Sequence, residues 1–107
     1  MRSSTTRRGR VTLADDLVIR DNPAERRYEA LVGDVVAGDI IYRAGDGVLT
    51  MVHTEVEPAW EGHGVGSRLV RGALDDVRAR GLRIRPLCPF VAGFIRHHPE
   101  YDDLVVS

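Results

Sequence analysis

Three glycines at alternate positions, Gly62, Gly64 and Gly66, separate a run of valines and threonines from a run of helical periodicity. Glycine loses more backbone entropy on folding than any other residue, and a plain connection needs one glycine, not three. Alternation lets successive N–H groups of the loop point into one concavity, to which the following helix adds its positive dipole end. That is chemistry for a phosphate or pyrophosphate; a tight turn with close helix packing is the alternative. Two common phosphate loops are excluded. A Walker loop needs a Lys after its glycines, and all 15 basic residues of this chain are Arg. A dinucleotide fold needs a series of parallel crossovers, and this chain has room for one.

Beside the loop lie residues suited to proton transfer. His53 and Glu55, two apart on a strand, are candidates for a general base. His53 also reads as a half-buried sheet residue, and Glu55 as a solvated or loop-capping carboxylate. Cys88, the single cysteine, cannot staple the fold. It falls where a later strand ends, either as a nucleophile or as a small residue lining a pocket. His97 and His98 are adjacent, so on a helix they point about 100° apart and make a poor ligand pair. With one cysteine and no further clustered ligand, no metal is expected.

The elements that position these residues follow from periodicity and turn chemistry. Met1 to Asp16 carries Arg2, Arg7, Arg8 and Arg10 without usable periodicity, and is expected to be a disordered basic tail. From residue 17 to 107 the chain is expected to be a single domain. Short alternating runs at Leu17–Arg20, Arg26–Val32 and Ala37–Arg43 are bounded by Asp21-Asn22-Pro23, Gly33-Asp34 and Gly45-Asp46-Gly47. They predict an antiparallel meander with no helix between strands. Val48–Val56 is the fourth strand, with Val48, Thr50, Val52, Thr54 and Val56 expected on a core face. Leu49, Met51, His53 and Glu55 share the other face, which begins apolar and ends in a cleft or in solvent. Pro58 marks its end.

A helix is expected over Ser67–Arg80, with Leu69, Val70, Ala73, Leu74 and Val77 as one apolar stripe. Leu82–Leu87 is a fifth strand, Phe90–His97 a short helix, and Leu104–Val106 a candidate last strand. Strand, loop, helix, strand is a parallel crossover. The fold class is therefore α+β: four antiparallel strands, a parallel β-α-β crossover and a short C-terminal helix. Sixteen acidic residues against fifteen basic give a net charge of −1, so nothing global points to nucleic acid. No membrane-spanning or secretory segment is evident, and a reducing, cytoplasmic setting is expected.

The pattern V-x-P-x-x-x-G-x-G-V-G-S-x-L-V, then A-L and R-x-R-G-L, resembles the signature of the GNAT superfamily of acyl-CoA-dependent N-acetyltransferases. The later segments Pro86-Leu87-Cys88-Pro89-Phe90-Val91 and His98-Pro99-Glu100-Tyr101 are similar to its small, stand-alone YjdJ-type branch. The resemblance spans Leu17 to Val106 and is most specific from Glu55 to Tyr101. It implies a GNAT-like mixed sheet, acetyl-CoA or coenzyme A as cofactor, and an amine acceptor that is a small molecule or a protein. Gly62, His63, Gly64, Val65, Gly66 and Ser67 would hold the pyrophosphate through main-chain N–H groups. Val56 would pair with the pantetheine amide as a further strand would. Glu61 stands where the superfamily has Arg or Gln, and is expected to turn away from the phosphates and cap the loop. Phe94 stands where many members carry a tyrosine that protonates the leaving thiolate. Transfer is expected to run directly to the amine or through Cys88; a CoA or acyl-CoA binding module without turnover is the alternative. The superfamily's helices between the first two strands have no room here, so the acceptor side should be open.

Overall fold

The computed structural model describes residues 17–106, and the expected basic tail lies outside them. The meander forms as the turn residues dictate. Strands β1 (Leu17–Asn22), β2 (Arg27–Val32), β3 (Val35–Gly45) and β4 (Val48–Val56) lie antiparallel in sequence order. Asp46 and Gly47 both take positive φ, 57° and 75°, the geometry of a two-residue hairpin matched to strand twist. After the glycine loop comes α1 (Val65–Ala79), then β5 (Arg83–Pro86), paired parallel to β4 from Val48↔Arg83 to Met51↔Pro86. Helix α2 (Pro89–His97) follows, with Pro89 in its first turn where a missing N–H costs nothing. The sheet is thus mixed and five-stranded, as expected.

Helix α1 lays the predicted stripe, Leu69, Val70, Ala73, Leu74 and Val77, on one face of the sheet, and all five are fully buried. Facing it are Tyr28 and Ala30 of β2, Ile40 and Tyr42 of β3, Leu49 and Met51 of β4, and Ile84 of β5. The helix comes so close to β1 that a Cβ at Gly72 would lie 2.7 Å from Ile19 Cγ1. Among the described residues the opposite face carries no helix. There Val18 and Ile41 are exposed, and Glu29 is buried by polar partners instead: Arg20 Nε at 3.2 Å, Asn22 Nδ2 at 3.0 Å and Arg27 Nε at 2.7 Å.

Two expectations need correction. Leu104–Val106 does not form a strand: a 3₁₀ turn over Pro99–Leu104 leads to one parallel bridge, Ile84↔Val105. The faces of β4 are also not constant along the strand. Ile41 pairs with His53 but Tyr42 with Met51, so Val52 is an extra residue, a β-bulge. The bulge shifts alternation by one. Leu49 and Met51, placed by simple alternation on the outer face, are buried against the helix side. Beyond the bulge, Thr54 faces that side and reaches Cys88, while His53 and Glu55 are exposed on the other.

Candidate active site

Three features release β5 from β4 at one point. Pro86 has no N–H to continue the ladder, Val52 bulges, and the amides of Leu87 and Cys88 both donate to the carbonyl oxygen of Met51, at 3.0 and 2.9 Å. His53 to Val56 therefore pair with β3 only, and their other backbone edge borders a groove. That groove, about 380 Å³, is lined by Thr54, Val56, Trp60, Gly62, Gly66 and Phe90 among others. It runs from the parting of the strands to the glycine loop.

The loop's glycines divide by role. Gly62 and Gly64 take φ of 84° and 76°, a region L side chains rarely adopt, with nothing within 4 Å of an added Cβ. Gly66 has an ordinary backbone, but a Cβ there would lie 2.8 Å from Phe90 Cζ. Close packing therefore accounts for Gly66, and backbone conformation for the other two. Gly64 is the N-cap of α1; among the described residues no side chain caps that terminus, and its first turn holds no acidic residue. Only at Arg68 does the helix ladder begin, its N–H reaching Gly64 O at 3.2 Å. The N–H groups of Val65, Gly66 and Ser67 thus precede the ladder and suit an anion. His63 is exposed, its ring edge-on to Trp60 at 6.2 Å. Glu61 does not cap the loop; it lines the groove's rim and a second cavity on the other side of β4.

That second cavity, about 410 Å³, is lined by His53, Glu55, Glu57, Glu61 and the neighbouring backbone, with no Arg among its lining residues. It shares Thr54, Val56 and Glu61 with the groove, so the two meet across the strand. Beside Glu55 on β3, burial pushes the Asp39 carboxyl up, Arg27 pulls it down, and Glu55 adds to the rise.

Cys88 is only 3% exposed. It is the N-cap of α2, its carbonyl accepting from Ala92 N–H at 3.0 Å, and its Sγ lies 3.2 Å from Thr54 Oγ1. Thr54 lines the groove and Cys88 sits behind it. Phe94, on the same helix, is buried and offers no hydroxyl. Tyr101 is buried under α1, donating to Asp75 Oδ1 at 2.7 Å. His97 and His98 each bond through Nδ1 to the carbonyl four residues back, Gly93 at 2.9 Å and Phe94 at 2.8 Å. Among the described residues no group of three His, Cys, Asp or Glu converges as metal ligands, and no helix is long and apolar enough to cross a membrane.

Sequence reasoning missed Thr54, Trp60 and Phe90 as lining residues. Thr54 was read only as a core-face residue; Trp60, between Pro58 and the loop, carried the one available signal, an aromatic next to a phosphate-type turn. The residues present fit coenzyme A: an uncapped helix terminus, two glycines with open space, and an unpaired strand edge leading from them.

Comparison with known proteins agrees. A model of the family described as GCN5-related N-acetyl-transferase matches residues 27–104. Protein NATD1 of Bos taurus is 33% identical over 55 residues, which is 51% of this chain and 49% of that protein, so the match spans about half of that relative's length. A GCN5-like protein of Staphylococcus aureus, solved by NMR, superposes with a TM-score of 0.64 at 25% identity, covering 86% of this chain and 90% of that one. A Bacillus subtilis acetyltransferase in complex with CoA is more distant, with a TM-score of 0.45 at 20% identity over 64% of this chain and 60% of that one. The chain belongs to the GCN5-related N-acetyltransferase family, whose acyl donor is acetyl-CoA.

Proposed function

We propose that the chain is a small acetyl-CoA-dependent N-acetyltransferase that passes the acetyl group directly to an amine on a small molecule or a protein. The observation that carries this is the release of β5 from β4 at Met51, which leaves the edge from His53 to Val56 unpaired beside the glycine loop. Pantetheine runs along that edge, its amide paired with the backbone at Val56. The pyrophosphate sits on the N–H groups of Gly62 to Ser67, including His63 and Val65. The acceptor enters from the helix-free side through the cavity lined by His53 and Glu55, whose carboxylates favour the approach of a protonated amine. His53 or Glu55 takes the amine proton, nitrogen attacks the thioester carbon, and a strand N–H holds the oxyanion. Collapse breaks the C–S bond; the thiolate accepts a hydrogen bond from the Thr54 hydroxyl, which lies beside Cys88, and takes up through solvent the proton that the acylated nitrogen sheds.

Burial of Cys88 behind Thr54 favours direct transfer over a thioester on Cys88. With Cys88→Ala, acetyl transfer should fall less than about tenfold with cofactor binding intact; loss of turnover by three orders of magnitude would restore the covalent route. The missing hydroxyl at Phe94 favours one other reading, a CoA or acyl-CoA binding module without turnover. Acetyl-CoA at ~100 times its dissociation constant should stabilise the fold by about 2.7 kcal/mol under either reading. Release of free CoA thiol across a panel of amines separates them, because a binding module releases none. The setting proposed is the cytoplasm, in keeping with one free, buried thiol.

A further inference from the structure

The charges on the helix-free face of the sheet are arranged differently on its two sides. On β1 and β2 opposite charges meet: Arg20 and Arg27 pair with Glu29 at 3.2 and 2.7 Å, and Arg27 also reaches Asp39 of β3 at 3.3 Å. Toward β4 and β5 they are kept apart. At the glycine-loop end Glu55 stands across the ladder from Asp39, and Glu57 and Glu61 line the cavity with it. At the hairpin end Arg43, Thr50 and Arg85 form one cross-strand row, Arg43↔Thr50↔Arg85. Leu49 and Met51 are buried on the helix side, so Thr50 between them, and the arginines in its row, face the other way.

Neither end can satisfy the other. Asp39 and Arg43 are four residues apart on β3, roughly 13 Å at the rise of a strand, too far for an ion pair. Glu55, Arg43 and Arg85 are exposed, and among the described residues none of the three makes a hydrogen bond or an ion pair. The two arginines lie roughly 10 Å apart across Thr50, so their guanidiniums can converge on one carboxylate there. Between the ends lie Ile41, 41% exposed, and the half-buried Val52 of the bulge.

We infer that this face docks an extended acceptor peptide, with its amine at Glu55 and an acidic side chain four residues further on held by Arg43 and Arg85. Four residues of extended chain span the gap, and an even number of steps returns the acidic side chain to the face that carries the amine. The charges also set direction, because a reversed peptide would lay its acid on Glu55 and its amine on the arginines. The inference rests on acetyl transfer to an amine, and narrows the acceptor to a dipolar segment.

Release of CoA thiol from acetyl-CoA tests it with three blocked peptides: Ala-Ala-Ala-Ala-Asp amide, its counterpart ending in Asn, and Ala-Asp-Ala-Ala-Ala amide. The first should show a KM about fivefold below the other two at similar kcat, the scale of two exposed ion pairs. A parallel series, in which an N-acetylated Lys replaces the first Ala, distinguishes a side-chain amine from an α-amine: the series that shows the preference names the source. Arg43→Gln/Arg85→Gln should erase the preference. Arg43→Glu/Arg85→Glu should transfer it to a peptide ending in Arg, which a structural role for the two arginines would not do. Equal KM for the Asp and Asn peptides in both series would overturn the inference, as would a preference that survives the loss of both arginines. A dimer in sedimentation velocity that Arg43→Gln/Arg85→Gln dissolves would also overturn it, by giving the face to a second copy. Turnover of simple amines with no peptide acetylated would overturn this docking alone; no thiol release with any amine would overturn the acetyltransferase reading and the docking with it.

Discussion

The two halves of β4 are made of the same kinds of residue and do opposite things. From Val48 to Met51 the strand is paired on both sides, to β3 and to β5, and Leu49 and Met51 are buried. From His53 to Val56 it is paired to β3 only, His53 and Glu55 are exposed, and the free edge borders the groove. One inserted residue, Val52, separates an interior strand from a binding edge. A bulge does this at little cost because it re-aims every following side chain while the β3 ladder resumes at once. The core half holds the site half still.

If that division is correct, a change in the core half should cost stability, and a change near the site half should cost binding. Met51→Ala removes a fully buried side chain and should destabilise the fold by about 3 kcal/mol in urea denaturation. The Met51 carbonyl still receives Leu87 and Cys88, so the strands still part there and the affinity of the folded fraction for acetyl-CoA should be retained. A collapse of affinity in step with stability would erase the distinction between the halves.

Glu29 sharpens the comparison from a third place, the helix-free face away from the groove. Burial alone would push its carboxyl up, but hydrogen bonds from Asn22, Arg27 and Arg20 outweigh burial and hold it below the ordinary value of 4.5. Its stabilisation is therefore complete above that ordinary value and is lost as pH falls through the depressed folded value. Glu29→Gln should cost about 2 kcal/mol at pH 7, since Arg20 and Arg27 keep partial access to water. The gap between the two proteins should close below pH 4.5 while acetyl-CoA affinity at pH 7 is unchanged. A gap that persists at low pH would mean that shape, not charge, makes Glu29 necessary.

Much of this was legible in the sequence. Asp46-Gly47 and Gly33-Asp34 announced their hairpins, and the α1 stripe its buried face. The bulge was not. Val52 is a good strand former in a run of good strand formers, and nothing local marks it as extra. Its insertion is decided by the long-range pairing of Ile41 with His53 and Tyr42 with Met51. For the same reason Leu49 and Met51 were assigned to the wrong face; Thr54 lies on the face it was assigned to, and its contact with Cys88 is a long-range one that no local pattern marks. Glu29 carries no local sign of burial, which depends on three donors from two strands.

At the loop, Gly64→Val should affect binding more than folding. The positive φ of 76° makes the substitution strained by about 1–2 kcal/mol. Misdirected N–H groups at the start of α1 should weaken acetyl-CoA by at least about tenfold, the worth of one charge-assisted hydrogen bond. Titration of Trp60 fluorescence measures the second effect, and an unchanged affinity would remove the loop from the phosphate site.

Gly66 gives the smallest and most discriminating effect. Inside a helix, alanine is favoured over glycine by about 1 kcal/mol, so Gly66→Ala alone should stabilise α1. Here the new Cβ would meet Phe90 Cζ at 2.8 Å, and the half-exposed ring must swing off its seat. The substitution should therefore destabilise the unmodified chain by about 1 kcal/mol, a mild overpacking cost. In a Phe90→Ala background the obstacle is gone, and the same substitution should stabilise by about 1 kcal/mol through helix propensity. The coupling between the two positions is then about 2 kcal/mol, large for a pair with one aromatic contact and well within denaturant titration. Stabilisation in both backgrounds would mean that the ring does not explain the absence of a side chain at Gly66.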